Sequence, residues 1–244
     1  MSPEGAGLAG TVHDFTASGT GDVKGSAGTG LCTFCHTPDR TPAAGMLWNH
    51  TLSPNTFRWD AASTSGGTPL PAIDGATYKG ASARCLSCHD GSVAVGDVAS
   101  FDGQAGAGPA ILSSARMTDF ASKFQIGVGG DLKGNHPVGV PYPMGGMPNH
   151  YNGVTNGQLG GFAANEWQSD PTASSSANIR LYVDDGAGNI RALPRGTLTM
   201  HAGIECSSCH DPHNKAAVDV MFLRGKLTGR SRADGYLCEQ CHSI

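Results

Sequence analysis

The most informative segment of the chain is Cys206-Ser207-Ser208-Cys209-His210-Asp211-Pro212-His213. Its first five residues form C-x-x-C-H, the attachment signature of a c-type haem. Two cysteines at this spacing can bond both vinyl groups of one porphyrin, and the histidine that follows is the proximal iron ligand. His213 lies on the same side of that haem as His210. Any iron that His213 ligates therefore belongs to another haem.

Four copies of this signature use all 8 cysteines of the chain. Pairs of the form C-x-x-C also build zinc sites, but zinc does not require a histidine after every pair. Regular neighbouring pairs also suit cofactor chemistry better than a disulfide framework. The copies, here motifs 1 to 4, are Cys32, Cys35 and His36; Cys85, Cys88 and His89; Cys206, Cys209 and His210; and Cys238, Cys241 and His242. We therefore expect four haem c groups, each with iron held by a proximal histidine.

The composition is poor in the residues that build an ordinary core. Of 244 residues, 39% are hydrophobic and 15% charged, and 36 glycines and 14 prolines are present. Four apolar porphyrins would replace much of the missing aliphatic core. The expected fold is a multihaem cytochrome c, mostly coil and turns with a few short helices and at least one short β-hairpin, wrapped around a haem chain.

We expect residues 1–244 to form a single tetrahaem unit. Its parts are an N-terminal arm (1–31), the region of haems 1 and 2 (32–95), a loop-rich insert (96–200) and the region of haems 3 and 4 (201–244). Local patterns predict short helices over 83–89 and 117–126, a surface loop over 63–71 and a hairpin over 181–193. The Asp-rich hairpin turn lacks the spacing of a calcium loop, so we interpret it as a turn.

Charge and hydropathy restrict partners and location. The net side-chain charge of −4, with haem propionates added, makes nucleic acid an unfavourable partner. No run of about 18 apolar residues predicts a membrane span. Haem c is attached outside the cytoplasm, so we expect export through the periplasm to the cell surface or the extracellular space. The first five residues do not resemble a signal peptide, so we expect that a leader has been removed or is omitted from this numbering.

Six histidines outside the motifs are candidates for the distal iron position. His136 precedes a proline, which holds it extended and away from helix. His13 lies beside Phe15, with a solvated arm residue as the alternative, and His50 lies between apolar residues, with a packed, hydrogen-bonded histidine as the alternative. We favour His13, His50, His136 and His213 as distal ligands, with His150 and His201 as further candidates.

Six histidines for four irons allow bis-histidine ligation throughout. Met144 and Met147 are then better explained as packing residues than as axial ligands. An iron with two imidazoles has no open position for substrate, so we expect electron transfer and no enzymatic activity. The alternatives are a discrete periplasmic or outer-surface carrier and a multihaem reductase with one open haem. The basic run within 214–237 is interpreted as a solvated face or as partners of propionates.

The chain resembles the secreted multihaem c-type cytochromes of metal-reducing bacteria, and most closely the filament-forming, OmcE-like extracellular cytochrome nanowires. The phrases that carry the resemblance are His13-Asp14-Phe15, 32–38, Leu47-Trp48-Asn49-His50, 85–91, Asn135-His136-Pro137-Val138, 206–213 and 238–242. Asp39 departs from the pattern, because relatives often carry a histidine there.

The resemblance implies a homopolymer in which a linear haem chain runs through each subunit into the next. It also implies redox partner proteins and extracellular electron acceptors. In such filaments an axial histidine can be donated between subunits. His13, on the N-terminal arm, fits that role by position, with His50 and His150 as alternatives.

Overall fold

The computed structural model describes residues 3–26, 30–37, 48–59, 70–101, 110–143, 149–155 and 164–243. Within these ranges the chain is mostly coil and turns, with two helices and several short antiparallel strands. The predicted surface loop at 63–71 lies mostly outside the described residues, and Asp39, Met144 and Met147 lie wholly outside them.

The two helices carry motifs 2 and 3. Helix α1 spans Ala81–His89 and buries Ala83 and Leu86. The predicted helix at 83–89 is therefore confirmed. Gly91 follows the C-cap with φ of +73°, a left-handed conformation that commonly ends a helix. Helix α2 is a single turn, Cys206–Cys209.

The strands are two or three residues long and pair only antiparallel in the described ranges. They are β1 (Thr56–Phe57), β2 (Ile73–Asp74), β3 (Asp97–Val98), β4 (Ala110–Ile111), β5 (Val140–Pro141), β6 (His150–Tyr151), β7 (Val154–Thr155), β8 (Tyr182–Asp184), β9 (Ile190–Ala192) and β10 (Ala202–Ile204). The largest sheet has the order β5-β10-β8-β9, and the other strands form the pairs β1-β2, β3-β4 and β6-β7.

The predicted hairpin at 181–193 is confirmed as β8 and β9, with Val183 opposite Arg191. Its connection is an Asx-type turn. The Asp185 carboxylate accepts hydrogen bonds from the backbone nitrogens of Ala187 at 2.8 Å and Asn189 at 3.0 Å. The carboxylate thus satisfies the turn's own backbone, as expected for a turn built by aspartate.

The prediction of one helix at 117–126 is wrong. The segment forms two 3-10 turns, Met117–Asp119 and Ser122–Phe124, separated by an extended Phe120. The Ile126 nitrogen donates to the His89 carbonyl at 3.0 Å, which ties the segment to the end of α1. This tertiary bond takes the place of the helical bond that the Ile126 nitrogen would donate to the Ser122 carbonyl. Further 3-10 turns are Val128–Gly130, Ala164–Glu166, Pro171–Ala173 and Cys238–Gln240.

The apolar core consists of two small clusters. One lies on the four-stranded sheet and contains Val140, Tyr142, Leu181, Val183, Leu193, Ala202 and Ile204. The other joins α1 to the β1-β2 pair and contains Phe57, Ile73, Leu86 and Leu132. No helix in the described part of the chain is long and apolar enough to cross a membrane.

The N-terminal arm lies against the segment that follows motif 3. The buried Asn214 side chain donates to the carbonyls of Pro3 and Gly7, each at 3.0 Å, and accepts from the Gly5 nitrogen at 3.1 Å. Asn214 has φ of +52°, which asparagine tolerates better than most residues. One side chain thus docks the arm on its own chain.

Candidate haem-binding site

The cysteines of successive motifs lie next to each other. All 8 cysteines are described and all are free thiols. Cys35 lies near Cys88, Cys85 near Cys206, and Cys209 near Cys238. The four motifs therefore follow one another in space in the order 1-2-3-4, which the sequence did not determine.

Burial favours the protonated form of the Cys35 and Cys209 thiols. It raises the pKa of Cys35 to about 11 and that of Cys209 to about 11. A structural zinc site needs four converging ligands. Among the described residues, no three histidine, cysteine, aspartate or glutamate side chains are grouped so that they could hold a metal ion.

Three of the four motif histidines each face a histidine from outside the motifs. The ring centroids are 6.1 Å apart for His36 and His213, 6.2 Å for His89 and His13, and 6.3 Å for His242 and His136. Each pair joins a different motif to a different distant segment. His213 faces motif 1 and not its own motif 3, as its position beside His210 requires.

These separations fit two axial ligands of one haem iron. A metal–imidazole bond is about 2 Å long and the ring centroid lies about 1.1 Å behind the nitrogen, so trans imidazoles on one ion are separated by about 6.2 Å. Packed aromatic rings also contact at this distance. The distinguishing feature here is the consistent combination of one motif histidine with one non-motif histidine.

Backbone carbonyls orient several of these rings. Nδ1 of His89 lies 2.8 Å from the Phe124 oxygen, Nδ1 of His210 lies 2.8 Å from the Met221 oxygen, and Nδ1 of His136 lies 3.0 Å from the Pro137 oxygen. A proton on Nδ1 leaves the Nε2 lone pair available. This is the usual second contact of a histidine that binds a metal.

A turn with two left-handed residues contacts the rings of His210 and His13. Met221 and Phe222 have φ of +55° and +61°, which is rare for residues other than glycine. The Met221 carbonyl meets His210, and the Phe222 ring stacks on His13 with centroids 4.9 Å apart. Burial, aided by the neighbouring His89, lowers the pKa of His13 to about 4. His13 is therefore neutral at physiological pH, the form that binds metal.

Motif 3 differs from the others. Among the described residues, which include all ten histidines, no second histidine ring contacts His210, and His210 is exposed. Two other histidines form a pair without a motif. His150 in β6 and the exposed His201, just before β10, have centroids 6.1 Å apart.

His50 has both ring nitrogens occupied. The side chain is buried, with Nδ1 2.7 Å from the Thr51 oxygen and Nε2 2.8 Å from the Ala94 oxygen. This is the packed, hydrogen-bonded histidine that the sequence left open as the alternative. In this arrangement His50 offers no free nitrogen to an iron.

Two tryptophans border the motif histidines. The Trp48 and His36 rings contact edge to face with centroids 6.1 Å apart, and the centroids of the Trp167 and His242 rings are 4.2 Å apart. The Trp48 Nε1–H is buried with no acceptor in the described ranges. A buried donor without an acceptor needs explanation, and a propionate carboxylate beside His36 would provide one. Sequence reasoning missed Trp167 and Phe222, whose only signal is aromaticity in otherwise featureless segments.

The segment after motif 3 is shaped by a buried ion pair. Arg224 lies 3.4 Å from the Asp211 carboxylate, and its Nε donates to the carbonyls of Ser207 and His210. The Asp211 carboxylate also accepts from the His213 nitrogen at 3.2 Å. The expectation of a solvated or propionate-binding face within 214–237 is therefore wrong for Arg224. The exposed basic residues of that run are Lys215, Lys226 and Arg230.

Comparisons with known proteins add no family assignment. The chain matches no protein-family model, and no significantly similar curated protein is found. The function must therefore be inferred from the geometry of the chain itself.

Proposed function

We propose that this chain is a tetrahaem c-type cytochrome that carries electrons outside the cytoplasm and polymerises into a conductive filament. The observation that carries the proposal is that three motif histidines face three different non-motif histidines at 6.1 to 6.3 Å. Such pairing is expected when each pair holds one iron between two imidazoles.

The residues support electron transfer more than catalysis. Haem iron, when bound, supplies a one-electron couple. Two imidazoles leave no coordination position for a substrate, so His36 with His213, His89 with His13, and His242 with His136 would hold carriers. Because the Cys85 and Cys206 side chains lie beside each other, the porphyrins attached there, of motifs 2 and 3, would be close together.

His210 is the position at which a second copy of the chain can contribute. His13, which fits the intersubunit role by position, faces His89 of its own chain, and His50 is buried. His150 and His201 are left, and His201 is exposed. Beside His210, Val220 is 51% and Met221 62% exposed, an apolar surface that a partner would cover.

A contact between the His201 surface of one copy and the His210 surface of the next joins two different patches. Such a head-to-tail interface repeats without closing and yields a filament when the rotation does not form a ring. The same unpaired His210 also favours the alternative of a reductase, because a haem without a sixth ligand can bind a small molecule.

The test uses the secreted, haem-loaded protein separated into monomers and filaments. Haem is counted from the pyridine haemochrome spectrum, and carbon monoxide binding to the reduced protein is followed in the Soret band. We expect four haems per chain, carbon monoxide binding at one haem of monomers and at none in filaments. Cryo-electron microscopy of the filaments would show the ligands directly.

Other outcomes separate the alternatives. A protein that stays monomeric and binds carbon monoxide at one haem in every state would support the reductase alternative. One that binds none as a monomer is a discrete carrier. Fewer than four covalent haems would overturn the tetrahaem proposal. His201→Ala and His150→Ala identify the donor, with His50→Gln as the control that should still polymerise.

A further inference from the structure

Glu205 is a fully buried carboxylate that neither attaches nor ligates haem in the function proposed above. It lies between β10 and α2, immediately before Cys206, and its exposed fraction is 0%. A buried ionised carboxylate is costly unless hydrogen bonds or a counter-charge stabilise it. Its surroundings therefore indicate what it does.

Four hydrogen bonds meet the carboxylate, all from neutral donors. Oε1 accepts from the hydroxyls of Tyr78 and Tyr151, the latter at 2.6 Å. Oε2 accepts from the Ser82 nitrogen at 2.8 Å and from its hydroxyl at 2.5 Å. No cation is among these donors, so neutral hydrogen bonds alone offset the cost of burying the charged form.

Two glycines make room for this arrangement. A Cβ at Gly203 would collide with the Tyr151 ring, and a Cβ at Gly80 would collide with the Tyr78 ring and with Oε1 of Glu205. The tyrosines can approach the carboxylate only because both positions lack a side chain. The site is therefore built into the backbone of β10 and of the start of α1.

The carboxylate lies where motifs 2 and 3 meet. Ser82, its donor, is in α1 with Cys85, and the Ser82 hydroxyl accepts from the Cys206 nitrogen at 3.0 Å. The Cys85 and Cys206 side chains lie beside each other. The porphyrins attached there would have their edges near Glu205. An electron added to either iron would raise the proton affinity of the carboxylate through the low-dielectric interior.

Tyr78, one of the donors to the carboxylate, borders a small cavity. This half-buried residue lines a cavity of about 30 Å³, together with Trp48, Leu52, Ala76, Lys79 and Arg84. That volume is enough for one water molecule. Burial raises the pKa of Glu205 against the opposing effect of its four donors, and the pKa of Tyr78 is also raised, so Tyr78 stays a hydroxyl that can relay a proton.

We propose that Glu205 is a redox-linked proton site, which binds one proton when a haem of motif 2 or 3 is reduced and releases it on oxidation. The inference rests on the haem-binding function proposed above. In the forward step a redox partner protein supplies one electron to ferric iron, and water supplies the proton that converts the carboxylate to the acid. Both leave again when the electron passes on.

Other titratable or charged groups face the site, and their contributions to the pH dependence must be distinguished from that of Glu205. Cys85 and Cys206 do not titrate once they are thioethers, and the tyrosine hydroxyls titrate far above neutral pH. The groups that interact with Glu205 or with its hydrogen-bond partners are Tyr78, Tyr151, Tyr182, Arg84, Asp184, Cys85 and Cys206. Haem propionates are a further source of pH dependence.

The experiment is a spectroelectrochemical titration of the haem-loaded protein from pH 5 to pH 9. For full coupling, the one-electron reduction constant of the coupled haem falls about tenfold per pH unit, equal to about 59 mV. We expect part of this slope in the wild type, and its loss in Glu205→Gln with four haems retained. Glu4→Gln, an exposed carboxyl control, should keep the wild-type slope.

Tyr78→Phe provides a second, independent variant. It removes one donor from the carboxylate, which raises the pKa of Glu205, so the pH-dependent range should move to higher pH. A wild-type slope that is unchanged in both variants overturns the inference and assigns the effect to propionates. A wild-type chain without covalent haem would instead overturn the proposed function itself, and the haem count distinguishes the two failures.

Discussion

The N-terminal arm and the segment around Trp48 each place one histidine near the motifs, but they hold the imidazole in opposite ways. His13 turns its ring towards His89, and Phe222 stacks on its face. Both ring nitrogens of His50 lie within hydrogen-bond distance of backbone carbonyl oxygens. The aromatic neighbours of the two are similar. What separates a candidate ligand from a packing residue is how many ring nitrogens the backbone occupies.

The largest effect should come from His13→Ala. With the ring removed, the iron of motif 2 loses its sixth ligand while the thioether bonds remain, so four haems stay attached. Carbon monoxide should bind at one more of the four haems than in the wild type. Low-temperature electron paramagnetic resonance should show one new high-spin haem. An unchanged spectrum would remove His13 from the ligand set.

His50→Ala should change stability and not ligation. The substitution leaves one buried carbonyl, that of Thr51 or Ala94, without its donor and opens a cavity, so the free energy of unfolding should fall by about 1–3 kcal/mol. Denaturant unfolding followed by circular dichroism measures this loss. His50→Gln can restore one hydrogen bond and should recover part of it. New carbon monoxide binding in either variant would make His50 a ligand and break the contrast.

A smaller effect is expected from Asn214→Gly, which keeps the left-handed backbone conformation but removes the side chain that docks the arm. Loss of its hydrogen bonds should destabilise arm docking by about 1–2 kcal/mol, which is about a 5- to 30-fold rise in the open population. Limited proteolysis within residues 8–20 should accelerate accordingly. Equal cleavage rates would show that Phe222, and not Asn214, retains the arm.

The sequence predicted those parts of the molecule that depend on local patterns. The helix of motif 2 and the hairpin of β8 and β9 have local signals, namely a C-x-x-C-H segment before Gly91 and an Asp-rich turn between apolar runs. The segment at 117–126 has a helix-like composition, but it breaks at the extended Phe120, and Ile126 at its end is bonded to the His89 carbonyl. That bond joins distant residues and leaves no periodic trace.

The candidate site likewise has one part that local sequence patterns predict and another that they do not. The motifs identify the candidate attachment cysteines and candidate proximal histidines by spacing alone. The histidines that face them depend on tertiary contacts, such as the hydrogen bond from the His213 nitrogen to the Asp211 carboxylate. Single side-chain hydrogen bonds of this kind, in a chain rich in glycine and proline, produce no pattern from which the pairing of His13 with His89 could be predicted.

The docking of the arm also sets an order of events during biogenesis. Pro3 bonds to a residue 211 positions later, and Gly5 to one 209 positions later, the same Asn214. This contact cannot form until synthesis has passed residue 214. The arm is therefore docked only after motif 3 has been made, and His13, which lies on the arm, is held beside motif 2 only from then on.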